Sequence, residues 1–197
     1  SSSGSIRGMK KLYYGNDAQK AKYIPKLGTG EWKASYCLTE PNSGSDANSG
    51  KTKATLTADG KHYLINGQKM WITNGGFADI FIVFAKIDDD KNLTAFIVEK
   101  DFGGITMNPE EHKMGIKGSA TCVMNFDGAT GWIVGIPHQG LAAMFTMMNY
   151  ERLSIGLQGI GCGEMSYQNA VHYAKDRLQG RAAHGTANPT GIADPII

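Results

Sequence analysis

No apolar stretch in this chain approaches the ~20 residues needed to cross a bilayer, so no membrane span is expected. Cysteine is scarce. Cys37, Cys122 and Cys162 are odd in number, far apart and outside any C-x-x-C pair. That argues against a disulfide framework or a zinc site and for a reducing compartment. The five histidines (His62, His112, His138, His172, His184) show no metal-ligand spacing and read as surface or core residues. An excess of one charge is missing too. With a net charge of +2 and basic residues scattered singly, nucleic acid is not an expected partner. The N-terminal run SSSGSIRGMKK lacks the apolar centre of a signal peptide and reads as an expression scar or a truncated end.

What is present is ordinary for a soluble globular protein: 197 residues, 41% hydrophobic and 19% charged, enough for one core plus pieces of another domain. Three regions differ in pattern. In residues 1–32, Asn16-Asp17 is a helix-cap signal before AQKAKYIPKL, which Pro25 interrupts and Gly28 and Gly30 end. Residues 33–138 read as strands. KTKATLTA alternates as a half-buried strand should, and Asp59-Gly60 and Asn66-Gly67 are hairpin signals that bracket HYLI before QKMWIT. DIFIVFAKI and LTAFIVE are continuous apolar runs joined by the charged loop 88–92, the signature of strands buried on both faces. ITM and ATCVMNFDG are two further strand candidates, and with no helical pattern between the strands an antiparallel barrel or sandwich is expected. From Gly140, three- and four-residue apolar spacing runs for about 40 residues, a helix on the order of 60 Å. Residues 139–197 thus hold one long helix and a loop-like tail after Arg181. The fold class is α+β: an antiparallel β-barrel between a short N-terminal helix fragment and one long C-terminal helix.

The densest chemistry lies in SYCLTEPNSGSDANSG, residues 35–50, a turn-rich run able to present N–H groups and hydroxyls to a polar planar ligand. In KMWITNGG, residues 69–76, Trp71 and Thr73 share one strand face, and an aromatic beside a hydroxyl suits a flavin ring and its polar edge. Taken singly, Trp71 is as well explained as a core aromatic, Thr39 as a turn residue and Ser45 as a helix cap. Glu40 and Asp46 look like a catalytic pair, but Glu40 beside Pro41 is better placed to bond backbone in its turn. Two decoys fall away: GLQGIGCGE lies inside a helical pattern with no strand before it, and GIKGSAT lacks P-loop spacing.

Together and in order, YCLTEPNSGSDA and INGQKMWITNGG resemble the paired signature of the acyl-CoA dehydrogenase family, over about residues 14–177. The resemblance implies a β-barrel middle domain between helical domains, bound FAD, and oxidation of an acyl-CoA thioester to its trans-2-enoyl form. It implies that Tyr36, Leu38 and Thr39 line the flavin ring, that Ser45 touches flavin or substrate, and that Trp71 and Thr73 meet the ring from the second motif. KMGIKGSATCVMNFDGATGWIVG and the helix after it resemble the 3-methylmercaptopropionyl-CoA dehydrogenase branch, whereas KYIPKLGTGEWKASYCLTEP resembles the general short- and medium-chain type.

In NYERL, Glu151 matches the position from which some members supply the base for the α-proton. A carboxylate outside this chain is the alternative, with Glu151 then pairing to a neighbour such as Arg152. By the same matching, Asn149, Tyr150 and Arg152 lie near the thioester and pantetheine. Arg177 matches the arginine that reaches the FAD pyrophosphate, although LQGRA stands where the family has Phe-Gly, and a solvated helix-end arginine is the alternative. The resemblance further implies an electron-transfer flavoprotein as electron acceptor, a homo-oligomer, and a bacterial cytoplasm or mitochondrial matrix as the compartment. An acyl-CoA oxidase or flavin monooxygenase on the same fold, or a flavin-free fragment that self-associates through its helix, are the competing readings.

Overall fold

The computed structural model describes residues 12–179. The N-terminal run before Leu12 and the tail after Gln179 lie outside them. Its organising wall is made by the two most apolar strands, β4 (Ile80–Ile87) and β5 (Thr94–Glu99). Both are buried on both faces, as their unbroken apolar runs require. Phe81, Val83, Ala85, Phe96 and Val98 point into one core, with Ile65, Ile72, Cys122 and Met124. Ile80, Ile82, Phe84, Ala95 and Ile97 point into a second core, shared with the helices. Each fully buried Phe or Ile side chain contributes about 1.5–3 kcal/mol, so this wall carries much of the fold's stability.

Around it run β1 (Ala34–Cys37), β2 (Lys53–Leu56), β3 (Tyr63–Thr73), β6 (Ile105–Met107) and β7 (Thr121–Ile133). The ring closes as β4–β2–β3–β7–β5 and back to β4. On one edge of β4, β1 pairs with Ile80–Val83 and β2 with Lys86–Ile87, end to end. β7 is shared in the same way: β3 runs along one edge, and β6 and β5 pair with successive parts of its length. The barrel is antiparallel apart from the β1 and β2 contacts with β4, which are parallel. Neither strand is β4's neighbour along the chain, since β3 intervenes, and so neither pairing carries a hairpin's antiparallel constraint.

Helix α1 (Asp17–Thr29) starts in a reciprocal capping box between Asn16 and Gln19 and ends at Gly30, which takes the left-handed φ of 77°. Pro25 does not interrupt it. It forfeits one backbone bond, but Tyr23 and Leu27 on either side are buried in the second core and hold the turn. Asp59-Gly60 makes the β2–β3 turn as expected, with Gly60 at φ 68°. Asn66-Gly67 makes no hairpin. It sits inside β3, and opposite it Asp127 and Gly128 form a bulge in β7, where Gly128 takes φ 66° and gives its amide to Asn66 Oδ1 at 2.8 Å. The glycine at 67 answers to packing, since a Cβ there would meet Thr52 Oγ1 at 2.5 Å. β7 continues through the Asp127-Gly128 bulge to Ile133.

Helix α2 (Gly140–Asp176) includes the glycine run 156–163, so the nucleotide-loop decoy is helical. Its start needs glycine: a Cβ on Gly140 would lie 2.8 Å from the Leu93 carbonyl. Met144 and Met147 enter the second core. The chain divides into two compact units between Met148 and Asn149. In the second unit the apolar residues Leu153, Leu157, Ile160, Met165 and Tyr167 are exposed. No helix among the described residues is long and apolar enough to cross a membrane.

Candidate functional site at the end of strand β3

Alternation along β3 would send Ile65, Lys69 and Trp71 inward. Ile65 and Lys69 are buried, but it is Ile72, not Trp71, that continues the inward series. Between Lys69 and Ile72 the pairing with β7 slips, so that Met70 and Trp71 together face Val123. At this bulge Trp71 adopts φ 57°, a left-handed conformation that is an outlier for a bulky side chain. The slip turns Trp71 and Thr73 outward together. Trp71 is left 62% exposed, an indole held in strain with one side in solvent.

The segment 35–50 is laced to the same stretch of strand. The Ser35 hydroxyl donates to the Thr73 carbonyl at 2.6 Å, and the Met70 amide donates to the Thr39 carbonyl at 2.9 Å. Thr39 is thereby held beside the residue that precedes Trp71. Leu38 packs half-buried against the second core. Tyr36 also lies there, its ring edge-on to Phe84 at 5.5 Å and its hydroxyl 2.8 Å from Met144 Sδ. Burial, with a smaller contribution from Cys37, pushes its phenol well above the usual range. Ser45 stands exposed on the bend that follows. The bonds from Ser35 and Met70 tie residues 35 and 39 to residues 70 and 73, while Tyr36 and Leu38 pack against the second core. An exposed indole on a strand that also carries Thr73, with Thr39 bonded to its neighbour Met70, is a stacking and donor set that fits a planar heterocycle with polar edges.

Glu40 is structural, as expected from its turn. Its carboxylate accepts the amides of Lys51 at 2.6 Å and Thr52 at 3.1 Å, closing the loop that carries Ser45. Its charge partner, Lys69, is not among the residues that the sequence motifs single out. Lys69 is 0% exposed, and its ammonium meets Glu40 Oε1 at 2.7 Å, the Phe84 carbonyl at 2.7 Å and the Leu38 carbonyl at 3.0 Å. A signal for it does exist: a lysine at an inward position of a half-buried strand needs a buried partner. Burial alone would raise the Glu40 pKa. The Lys69 charge and hydrogen bond, the Lys51 amide and the Thr52 side chain outweigh it and hold the carboxyl below its ordinary value. A cavity of about 180 Å³ is lined by Glu40, Ser43, Lys51, Thr52, Gly67 and Gln68, and none of the expected flavin residues borders it.

The remaining candidates lie in the second unit. Asn149, Tyr150 and Arg152 are exposed on α2, and Arg152 Nη1 donates to Asn149 Oδ1 at 3.2 Å. Glu151 is half-buried. Arg177, just past the helix, is exposed, and its amide bonds the Tyr173 carbonyl at 2.8 Å. No cluster of metal-binding side chains occurs among the described residues.

Residues 35–129 match the family model described as the acyl-CoA dehydrogenase middle domain. A probable acyl-CoA dehydrogenase of Bacillus subtilis is 44% identical over 85% of this chain and 29% of its own length. A 3-methylmercaptopropionyl-CoA dehydrogenase of Ruegeria pomeroyi is 39% identical over 93% of this chain and 34% of its own. The crystal structure of an acyl-CoA dehydrogenase complexed with FAD, from Bacillus anthracis, superimposes with a TM-score of 0.82 at 44% identity, over 87% of this chain and 30% of that one. The chain thus spans about a third of the length of these relatives. The split resemblance of its two halves reflects likeness to both branches. With the barrel, the bulged strand and the paired motifs in place, this chain belongs to the acyl-CoA dehydrogenase family.

Proposed function

We propose that the protein to which this chain contributes carries out FAD-dependent α,β-dehydrogenation of an acyl-CoA thioester. The observation that carries the reading is the bulge at Met70–Trp71, which keeps an exposed, strained indole beside Thr39 and Thr73. A bulky residue held at positive φ without burial has no stabilising role to justify it, and a stacking ligand supplies one.

Bound FAD would supply the hydride acceptor. On the protein side, Trp71 stacks on the ring system, while the hydroxyls of Thr39 and Thr73 bond its polar edge. Tyr36 and Leu38 wall it, and Ser45 reaches flavin or substrate. Arg177 neutralises the pyrophosphate. Glu151 removes the α-proton of the thioester, and Asn149, Tyr150 and Arg152 hold the thioester and pantetheine. An electron-transfer flavoprotein takes the electrons onward. Self-association covers exposed apolar residues of α2, such as Leu153 and Ile160.

The test begins with FAD titration, followed by the flavin spectrum and by indole fluorescence. Quenching in wild type that is lost in Trp71→Phe supports the site, and equal signals in both overturn it. Acyl-CoA and an artificial acceptor are then added to the full-length protein. Flavin bleaching that disappears in Glu151→Gln assigns the base, and unchanged bleaching places it elsewhere. Stoichiometric oxygen consumption in the absence of the acceptor would instead mark an oxidase.

A further inference from the structure

We infer that Lys69, through Glu40, is the positioning residue of the flavin site: one buried ammonium fixes Thr39 against the strand that carries Trp71 and Thr73. The inference rests on the flavin reading above. An ammonium has three N–H donors, and Lys69 spends them on Leu38 O, Glu40 Oε1 and Phe84 O. Leu38 and Glu40 are the two neighbours of Thr39, so both flanks of that residue are pinned by one side chain. The third bond anchors the assembly to β4, in the most deeply buried wall of the barrel.

The geometry converges on a short stretch of chain. Lys69 is the last β3 residue in register before the bulge, and the next amide, from Met70, takes the Thr39 carbonyl. Glu40 extends the hold by gathering the Lys51 and Thr52 amides, which closes the Ser43–Gly50 loop around Ser45. Gly50 is part of the fit, since a Cβ there would stand 2.9 Å from Glu40 Oε1. A buried ion pair adds little net stability over an apolar pair of equal volume. What a methionine at position 69 cannot reproduce is the direction of three hydrogen bonds. The pair fixes the position of Thr39, and its contribution to stability is secondary.

The experiment compares wild type, Lys69→Met, Lys69→Arg and Glu40→Gln for FAD binding and for amide exchange without flavin. Lys69→Met is expected to weaken FAD about tenfold or more, the loss expected for charged hydrogen bonds. It should also change the fine structure of the flavin's long-wavelength band, which a purely structural role would leave alone. Exchange should quicken at Met70, Lys51 and Thr52 while Ile82 and Val83 stay protected. Lys69→Arg, keeping charge and donors, restores part of the affinity. If Lys69→Met does not fold, Glu40→Gln carries the test, because it removes the charge but keeps an acceptor and should show the same local pattern. Wild-type binding of FAD with unchanged affinity and spectrum in both Lys69→Met and Glu40→Gln overturns the positioning role alone. Failure of wild type to bind FAD overturns the flavin reading, and the positioning role with it.

Discussion

Glu40 Oε1 lies 2.7 Å from Lys69 Nζ, inside the protein, and the same carboxylate accepts the amides of Lys51 and Thr52. Truncating either partner leaves the other buried and uncompensated. Glu40→Ala or Lys69→Ala should cost about 3–5 kcal/mol, read from chemical unfolding.

The same pair sets an acid limit. The folded-state pKa of Glu40 lies below its ordinary value. Its contribution is therefore complete above the unfolded carboxylate range and is lost as pH falls through the folded value. Unfolding midpoints measured downward from neutral pH should fall more steeply in wild type than in Glu40→Gln. Parallel curves would mean that the carboxylate carries no linked stability.

Trp71 should behave as a residue whose function opposes its stability. Asparagine tolerates φ near 57° and the indole is mostly exposed, so Trp71→Asn should be at least as stable as wild type. Flavin-dependent changes should vanish with it. A loss of more than about 1 kcal/mol in thermal melts would show that the indole packs as core.

A Cβ on Gly67 would stand 2.5 Å from Thr52 Oγ1. Gly67→Ala should therefore lose roughly 1–3 kcal/mol. A denaturant midpoint no lower than that of wild type would show that the chain can part at this point.

Gly159 and Gly161 sit inside α2, and among the described residues nothing comes within 4 Å of where a Cβ on either would stand. Replacing each by alanine should stabilise the helix by about 0.5–1 kcal/mol. Far-UV ellipticity on heating is the measure. A loss instead would reveal a close partner for that face.

Much of the fold was legible because local rules govern it. The apolar runs at 79–87 and 93–99 could only be strands covered on both sides, and the spacing after Gly140 could only be a helix. Asn16, Gly30 and Asp59-Gly60 carried caps and a turn whose backbone demands are local. The local rules failed where a distant residue overruled them. Asn66-Gly67 has the composition of a hairpin, yet the Gly128 amide and the crowding from Thr52 keep it in a continuous strand. Pro25 has the composition of a helix break, yet the buried Tyr23 and Leu27 carry the helix through.

The sequence by itself determined which elements form and where most of them turn, and it singled out residues 35–50 and 69–76 as the candidate flavin segments. Tertiary structure alone decided how those two segments meet. Besides the Glu40 carboxylate, the acceptors that join them are main-chain carbonyls, those of Leu38, Thr39 and Thr73. Every residue type carries a carbonyl, so no residue identity marks these three as acceptors. The slip that turns Trp71 outward likewise depends on the register between β3 and β7, a relation between two strands that neither encodes alone.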